Sequence, residues 1–296
     1  MRADIRHVVT DLDNTLYDWV DFYVPSLLAM IGQLSLLTGI SEEDLKGSFK
    51  RLHEKYGTSE YSFAIFQLDV LQQINKSLSA RQILEKYDSA IHAFRSSRKR
   101  TLRLFEGVKE TLVELRSRGK QLVAHTDALM FHAIARLKRL GIEDLFSAIC
   151  APPDHGLPNG VSIEDVRYFS DESRYETSIP LRLESYPDIR KPDPRALQIV
   201  LDRLGANPRE CVYIGDSVTR DVLMAQRCGV FDVLAEYGRG SSAANYTELV
   251  KITYWTGERI TDEESLKSTS IVPSFVIGSF SEILDVIGRL ESMNTE

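Results

Sequence analysis

Cysteine is scarce in this 296-residue chain, and what there is does not pair off. Cys150, Cys211 and Cys228 are an odd number with no CxxC spacing. That excludes a zinc knuckle and a disulfide framework and points to a reducing compartment. Positive charge is also in short supply. The 36 Lys and Arg face 43 Asp and Glu, a formal net charge of −7, so the chain is a poor general binder of nucleic acid or of an anionic membrane. No apolar run reaches the ~18 uninterrupted residues of a membrane span. The N-terminus lacks the basic and apolar regions of a secretory signal, and a soluble, cytoplasmic protein is expected. There is no GxxxxGK[ST], hence no P-loop, and the six histidines show no metal-ligand spacing. Internal repeats and low-complexity tracts are missing as well. What is present is an ordinary globular mix, 43% hydrophobic and 27% charged, which excludes disordered and collagen-like classes and suits about two domains.

Hydrophobic periodicity divides the chain unevenly. Ile5 to Thr10 is a short apolar run that reads as a buried strand. From about Tyr17 to Arg100 apolar residues recur at helical spacing, as in Leu27, Leu28, Ile31 and Leu34, with Ser79 suited to an N-cap. About four helices and no strand are expected there. After Phe105 the pattern alternates. Strands are expected at Gln121 to Thr126, Leu145 to Cys150, Glu210 to Ile214, Phe231 to Ala235 and Ser274 to Ile277. Helices are expected at Gly107 to Arg118, Leu129 to Leu140, Pro194 to Leu204 and Val218 to Cys228, each followed by glycine. This alternation implies an α/β parallel sheet, interrupted after its first strand by a helical block. Residues 152–190, with five prolines, are long for one connection and read as a small β-hairpin insertion.

In an open α/β sheet, ligands bind outside the carboxyl ends of the strands. The residues that follow the strands here are Asp11 and Asp13, then Thr126, then Asp216 and Asp221, with Lys191 just before a helix. Carboxylates gathered on one rim, with a threonine and a lysine, suit a divalent cation and a phosphate, Mg2+ wanting about six oxygen ligands. Asp11 and Asp216 are the natural direct ligands. Asp11 is placed to attack phosphorus and Asp13 to move the proton of the leaving group and then of water. Thr126 would hydrogen-bond a phosphoryl oxygen, and Lys191 would supply positive charge. Each feature alone has an ordinary explanation: a loop acid, a capping Thr, a solvated Lys, an N-cap Asp. Their joint order does not.

The segments DLDNTLYD, strand-terminal Thr126, RKPDP and GDSVTRD resemble the four motifs of the haloacid dehalogenase-like hydrolase superfamily, over essentially the whole chain. The resemblance implies a Rossmann-like core (residues 1–16 and 101–296) with an inserted α-helical cap (17–100). It implies Asp11 as nucleophile, Asp13 as acid and base, Thr126 as phosphate binder and Lys191 as bridging cation. Mg2+ would be held by Asp11, the Asp13 backbone carbonyl and Asp216, with Asp221 in support. Members that cleave carbon–halogen bonds lack the second aspartate, so Asp13 points to the phosphatases and phosphotransferases. The phosphonate-cleaving members need a cap lysine, for which Lys46, Lys50 and Lys55 are the candidates; that branch is disfavoured.

The segments His53 to Gly57 and His132 to Phe146 look similar to a pyrimidine 5′-nucleotidase-like branch. Tyr56, Tyr61, Phe63 and Phe66 could stack on a base, or form cap core. Asp127, where that branch commonly has Asn, either turns away from the phosphate pocket or favours a positively charged substrate. Arg95, Arg98, Lys99, Arg100 and Arg103 form a basic cluster that is either solvated surface or an attractor of anions, and Arg239 is a candidate second phosphate contact. The expected activity is Mg2+-dependent hydrolysis of a small phosphorylated metabolite, a nucleoside monophosphate among the candidates. A phosphotransferase, or a phosphoglycolate or sugar-phosphate phosphatase of the same fold, is the alternative. A catalytically silent phosphate binder or a receiver-like regulator is the non-enzymatic one.

Overall fold

Six helices follow the first strand: α1 (Trp19–Thr38), α2 (Glu42–Tyr56), α3 (Ala64–Gln67), α4 (Asp69–Ile74), α5 (Ala80–Lys86) and α6 (Asp88–Thr101). Two of them, α3 and α4, are single short turns that helical periodicity does not separate, which is why about four were expected. Ser79 does cap α5, in a reciprocal box with Gln82. α1 starts from Asp18, whose side chain accepts from the Asp21 amide. This helix is long and apolar enough to cross a membrane by length and composition, with a mean hydropathy of 1.5. Half of that window is nevertheless buried, and α1 lies along α6 as the central helix of the block.

The computed structural model describes residues 4–167, 176–186, 188–240, 242–253 and 271–292. Seven parallel strands form one sheet in the order β4-β3-β2-β1-β5-β6-β7. They are β1 (His7–Thr10), β2 (Gln121–His125), β3 (Ala148–Ala151), β4 (Leu181–Glu184), β5 (Cys211–Gly215), β6 (Phe231–Ala235) and β7 (Phe275–Ile277). All four residues of β1 are buried, because helices cover both faces of a parallel sheet. Val8 packs into the apolar cluster on one side and Val9 into that on the other. Thr10 aligns with Ala124 of β2 and with Ile214 of β5, so the chain direction across the sheet reverses beside β1. That is the crevice where such sheets bind ligands.

The remaining helices among the described residues are α7 (Val108–Ser117), α8 (Met130–Leu140), α9 (Ile163–Arg167), α10 (Pro194–Leu204), α11 (Leu223–Arg227), α12 (Ala243–Ile252) and α13 (Ile283–Ser292). α10 shows how locally these are specified: Asp193 accepts from the Arg195 amide, Pro194 fills the first turn, and Gly205 ends it at φ 59°. The helix expected from Val218 opens instead with a wide π-type turn, Val218–Val222, in which the Val222 amide reaches back to the Ser217 carbonyl. The hairpin expected within 152–190 is corrected. Among the described residues that segment holds α9 and β4, and β4 joins β3 in parallel register as an edge strand; residues 168–175 and 187 lie outside the described set. β4 is missed by periodicity because only one of its four residues, Leu183, is buried.

α12 follows β6 yet packs against α1 and α2. Asn245 Nδ2 donates to Asp21 Oδ1 at 2.8 Å, Lys46 pairs with Glu248 at 3.0 Å, and His53 Nδ1 meets the Ile252 carbonyl at 2.6 Å.

Candidate active site

The parallel register delivers the residues that follow β1, β2 and β5 to one rim. The Asp11 amide continues the ladder to the Ile214 carbonyl at 2.8 Å, and the Thr126 amide to the Cys150 carbonyl at 3.0 Å. A cavity of about 150 Å³ opens there. Asp11, Asp13, Thr126, Asp127, Arg190, Lys191, Asp216, Asp221 and Glu60 line it together with eight other residues.

One carboxylate oxygen each from Asp11, Asp216 and Asp221 lies within 4.8 Å of the others. Lys191 is buried among them, donating to Asp11 Oδ1 and, at 2.9 Å, to Asp221 Oδ1. Burial disfavours its charge, but Asp11 and Asp221 outweigh that and hold its pKa well above the ordinary value. Asp221 is further fixed by the Ser217 amide at 3.1 Å and the Tyr213 hydroxyl at 3.3 Å. A Cβ on Gly215 would overlap its carboxylate, so glycine is required where β5 ends. Burial, with Asp221 and Asp13 adding to it and Lys191 opposing, pushes the Asp11 carboxyl up to about 7. Burial and the neighbouring Asp221 and Asp11 push Asp216 well above its ordinary value. Three acids so close cannot all ionise comfortably without further positive charge.

Asp13 sits apart from this cluster. Its Oδ1 accepts from the Tyr17 hydroxyl and from Arg136 Nη1, both at 2.7 Å. Burial raises its pKa, and Arg136 opposes the shift. The loop between β1 and α1 is held from above. Tyr237 donates to the Thr15 carbonyl at 2.6 Å, and a Cβ on Gly238 would overlap the Asn14 carbonyl oxygen. Thr126 Oγ1 accepts from the Ala128 amide at 3.1 Å, the turn expected of a strand-terminal Thr, which leaves its own proton free to donate.

All six residues singled out in the sequence, Asp11, Asp13, Thr126, Lys191, Asp216 and Asp221, therefore border one cavity. Asp127 pairs with Arg220. Burial works against its charge, but Arg220 holds its pKa below the ordinary value, so it makes no demand for a cationic substrate. Arg239 does not border the cavity; its Nε donates to the Asp216 carbonyl at 3.1 Å. Tyr56 and Tyr61 stack on each other at 3.9 Å, and Tyr61 and Phe66 are buried, so these aromatics serve the helical block. Lys46, Lys50 and Lys55 do not border the cavity either. Of the basic cluster, Arg98 turns inward over Phe22 and Phe94, and burial lowers its pKa to about 10; the others are at least partly exposed.

Two residues escaped sequence reasoning, Arg136 and Glu60. Arg136 is 1% exposed and pairs with both Asp13 and Glu60. The available signal was on α8, where His132 and Arg136, four apart, interrupt the apolar face made by Met130, Ala133, Ile134 and Leu137.

A family model for the haloacid dehalogenase-like hydrolases matches residues 5–229, well over half of the chain, and a second HAD-hydrolase-like model matches 188–283. The chain belongs to the haloacid dehalogenase-like hydrolase family. Within the HAD-like hydrolases it is of the phosphatase type. It is 25% identical over 290 residues to a glyceraldehyde 3-phosphate phosphatase of Methanopyrus kandleri, covering 97% of this chain and 98% of that protein. It is 27% identical over 193 residues to a phosphoglycolate phosphatase of Pectobacterium atrosepticum, covering 65% of this chain and 58% of that protein. The fold resembles the crystal structure of a 2-haloacid dehalogenase from Pseudomonas syringae pv. tomato, with a TM-score of 0.58 at 18% identity over 96% of this chain and 99% of the other. It also resembles a HAD phosphatase from Thermococcus onnurineus, with a TM-score of 0.53 at 18% identity over 96% and 98%.

Proposed function

We propose that this HAD-like hydrolase is a Mg2+-dependent phosphatase that hydrolyses a small cytoplasmic phosphate monoester through an aspartyl-phosphate on Asp11. The observation that carries the reading is the convergence of Asp11, Lys191, Asp216 and Asp221 at one end of the cavity, with Asp13 held separately beside it. The donor set fits a hard cation: all the donors are oxygens, and the crowding of the Asp11, Asp216 and Asp221 carboxylates leaves an excess of buried negative charge. Asp11, Asp216 and the Asp13 backbone carbonyl would hold Mg2+, with Asp221 in support. When bound, Mg2+ neutralises charge on the phosphoryl group and on the carboxylates.

Asp11 attacks phosphorus, forming one P–O bond while the ester P–O bond breaks, and the leaving oxygen takes the Asp13 proton. Asp13 then accepts a proton from the water that cleaves the acyl phosphate and frees Asp11. Lys191 and the Thr126 hydroxyl hold phosphoryl oxygens. We assign residues 17–100 as a cap over a core of 1–16 and 101–296.

The cavity of about 150 Å³ is smaller than the roughly 300–1,000 Å³ of pockets that enclose drug-sized ligands. With the block's aromatics engaged among themselves, a two- or three-carbon phosphate ester suits it better than a nucleotide. The similarity to phosphoglycolate and glyceraldehyde 3-phosphate phosphatases supports that choice.

Replacing the nucleophile in Asp11→Asn should lower p-nitrophenyl phosphate hydrolysis in Mg2+ by more than about a thousandfold. EDTA should abolish the wild-type activity and Mg2+ should restore it. Near-full activity of the variant would overturn the assignment. Screened against phosphoglycolate, glyceraldehyde 3-phosphate and nucleoside monophosphates, the enzyme should prefer the small esters by at least about tenfold in kcat/KM, the worth of a few pocket contacts. A preference for nucleotides would sink the substrate class and leave the chemistry standing.

A further inference from the structure

Arg136 is the largest fully buried side chain among the described residues, and a buried guanidinium persists only where carboxylates compensate it. Its two partners come from different parts of the chain. Nη1 donates to Asp13, on the loop after β1, and Nη2 to Glu60, on the loop after α2. One helical turn away on the same face of α8, His132 Nε2 meets Ser62 Oγ at 3.0 Å. Tyr23 of α1 donates to the Ser59 carbonyl. The 58–62 loop is thus seated by three contacts, two of them on α8. Thr58, Ser59 and Glu60 border the cavity that holds Asp13.

On Asp13, the bonds from Arg136 and Tyr17 both fall on Oδ1. Among the described residues Oδ2 takes none and is left for a reacting oxygen. A carboxylate pinned by one oxygen to a planar, buried donor keeps a fixed orientation.

We propose that Arg136 is a positioning residue that orients Asp13 for proton transfer and makes that orientation depend on Glu60, so that the acid is correctly aimed only when the 58–62 loop is seated on α8. This rests on the reading of Asp13 as the acid and base. It makes Glu60 a positioning residue too, acting through Arg136.

The test is leaving-group dependence. p-Nitrophenolate departs with little help from an acid, whereas phenolate needs a proton. kcat/KM reports the chain of events through transfer to Asp11, so it isolates this demand. Glu60→Gln and Arg136→Lys are measured with Mg2+ on p-nitrophenyl phosphate and phenyl phosphate, after a thermal melt confirms folding. In either variant the ratio of the two kcat/KM values, p-nitrophenyl over phenyl, should rise about tenfold, a fraction of the roughly 10²–10⁴ that general acid catalysis supplies. In an Asp13→Asn background the same Glu60→Gln change should move the ratio less than about twofold, because no acid remains to be aimed. An unchanged ratio in both folded variants, or an equal further rise without Asp13, would show that Arg136 and Glu60 only pack the interior. If wild type lacks the phosphatase activity, or Asp11→Asn retains it, the reading of the site falls and this proposal with it. If those controls hold and the ratio stays flat, only this proposal falls.

Discussion

Asp11, the proposed nucleophile, sits under an unfavourable charge balance, and the pH dependence of stability should reveal it. Burial keeps its carboxyl protonated up to about pH 7, whereas an unfolded chain releases that proton near pH 4. The metal-free folded protein therefore binds more protons than the unfolded one across that interval, and its stability falls as pH rises through it. The buried histidines act in the opposite sense, His7 among them. Burial lowers His53 and His132 to about 4 and, with Lys191 adding, His125 to about 3. Each must charge on unfolding in acid, so they destabilise the fold as pH drops below about 6.5. The two trends compete below that pH; above it the histidines drop out, and the thiols of Cys150, Cys211 and Cys228, raised by burial, add to the carboxylates near pH 8. Differential scanning fluorimetry should show the metal-free Tm falling from pH 6.5 to 8 and saturating Mg2+ flattening the fall; a metal-free Tm that rises over this window contradicts the raised pKa of the Asp11 carboxyl. Asp11 and its partners were legible in the sequence because each directly follows a strand or opens a helix. Glu60 and Arg136 stand 76 residues apart, and no local spacing joins them.

Elements that carry their own start and stop signals are the ones the sequence reveals, as α10 does with Asp193, Pro194 and Gly205. Those that depend on tertiary contact are hidden. β4 exists because β3 offers an edge, and the π-type turn at Val218–Val222 because the Ser217 carbonyl takes the Val222 amide. The turn after β6 belongs with these. Tyr237 and Gly238 press on the carbonyls of Thr15 and Asn14, between Asp11 and α1. Gly238→Ala forces this pair apart. Overpacking of about 1–3 kcal/mol should lower Tm by roughly 2–10 °C in a protein of this size. Phosphatase activity measured well below the new Tm should fall at least about tenfold, because the Asn14 carbonyl moves with the Asp13 loop. A variant with wild-type activity would show that the contact is tolerant.

The helical block and the sheet are joined more closely than the alternation of patterns in the sequence suggests, since α12 has no signal that would send it to α1 and α2. Chains of this length often unfold in steps. Here the contacts of Asn245, Glu248 and Ile252 with Asp21, Lys46 and His53, and the Arg136 pairs, cross between the two parts. Calorimetry should therefore record one cooperative transition with equal calorimetric and van't Hoff enthalpies; two resolved transitions would mean that these contacts couple little.

A rigid body attached at two points keeps one rotational freedom, a swing about the line between them. The connections near residues 17 and 102 supply two such points for the helical block. The packing of α12 against α1 and α2 supplies a third, and a third point off that line would resist the swing. Any opening of the cavity must then carry α12 with it and draw on the turn at Glu236–Arg239, whose Tyr237 and Gly238 bear on the Asp13 loop. The helical block, α12 and the Asp13 loop are thus joined by one run of contacts, through which a change in access for substrate would bear on the alignment for chemistry.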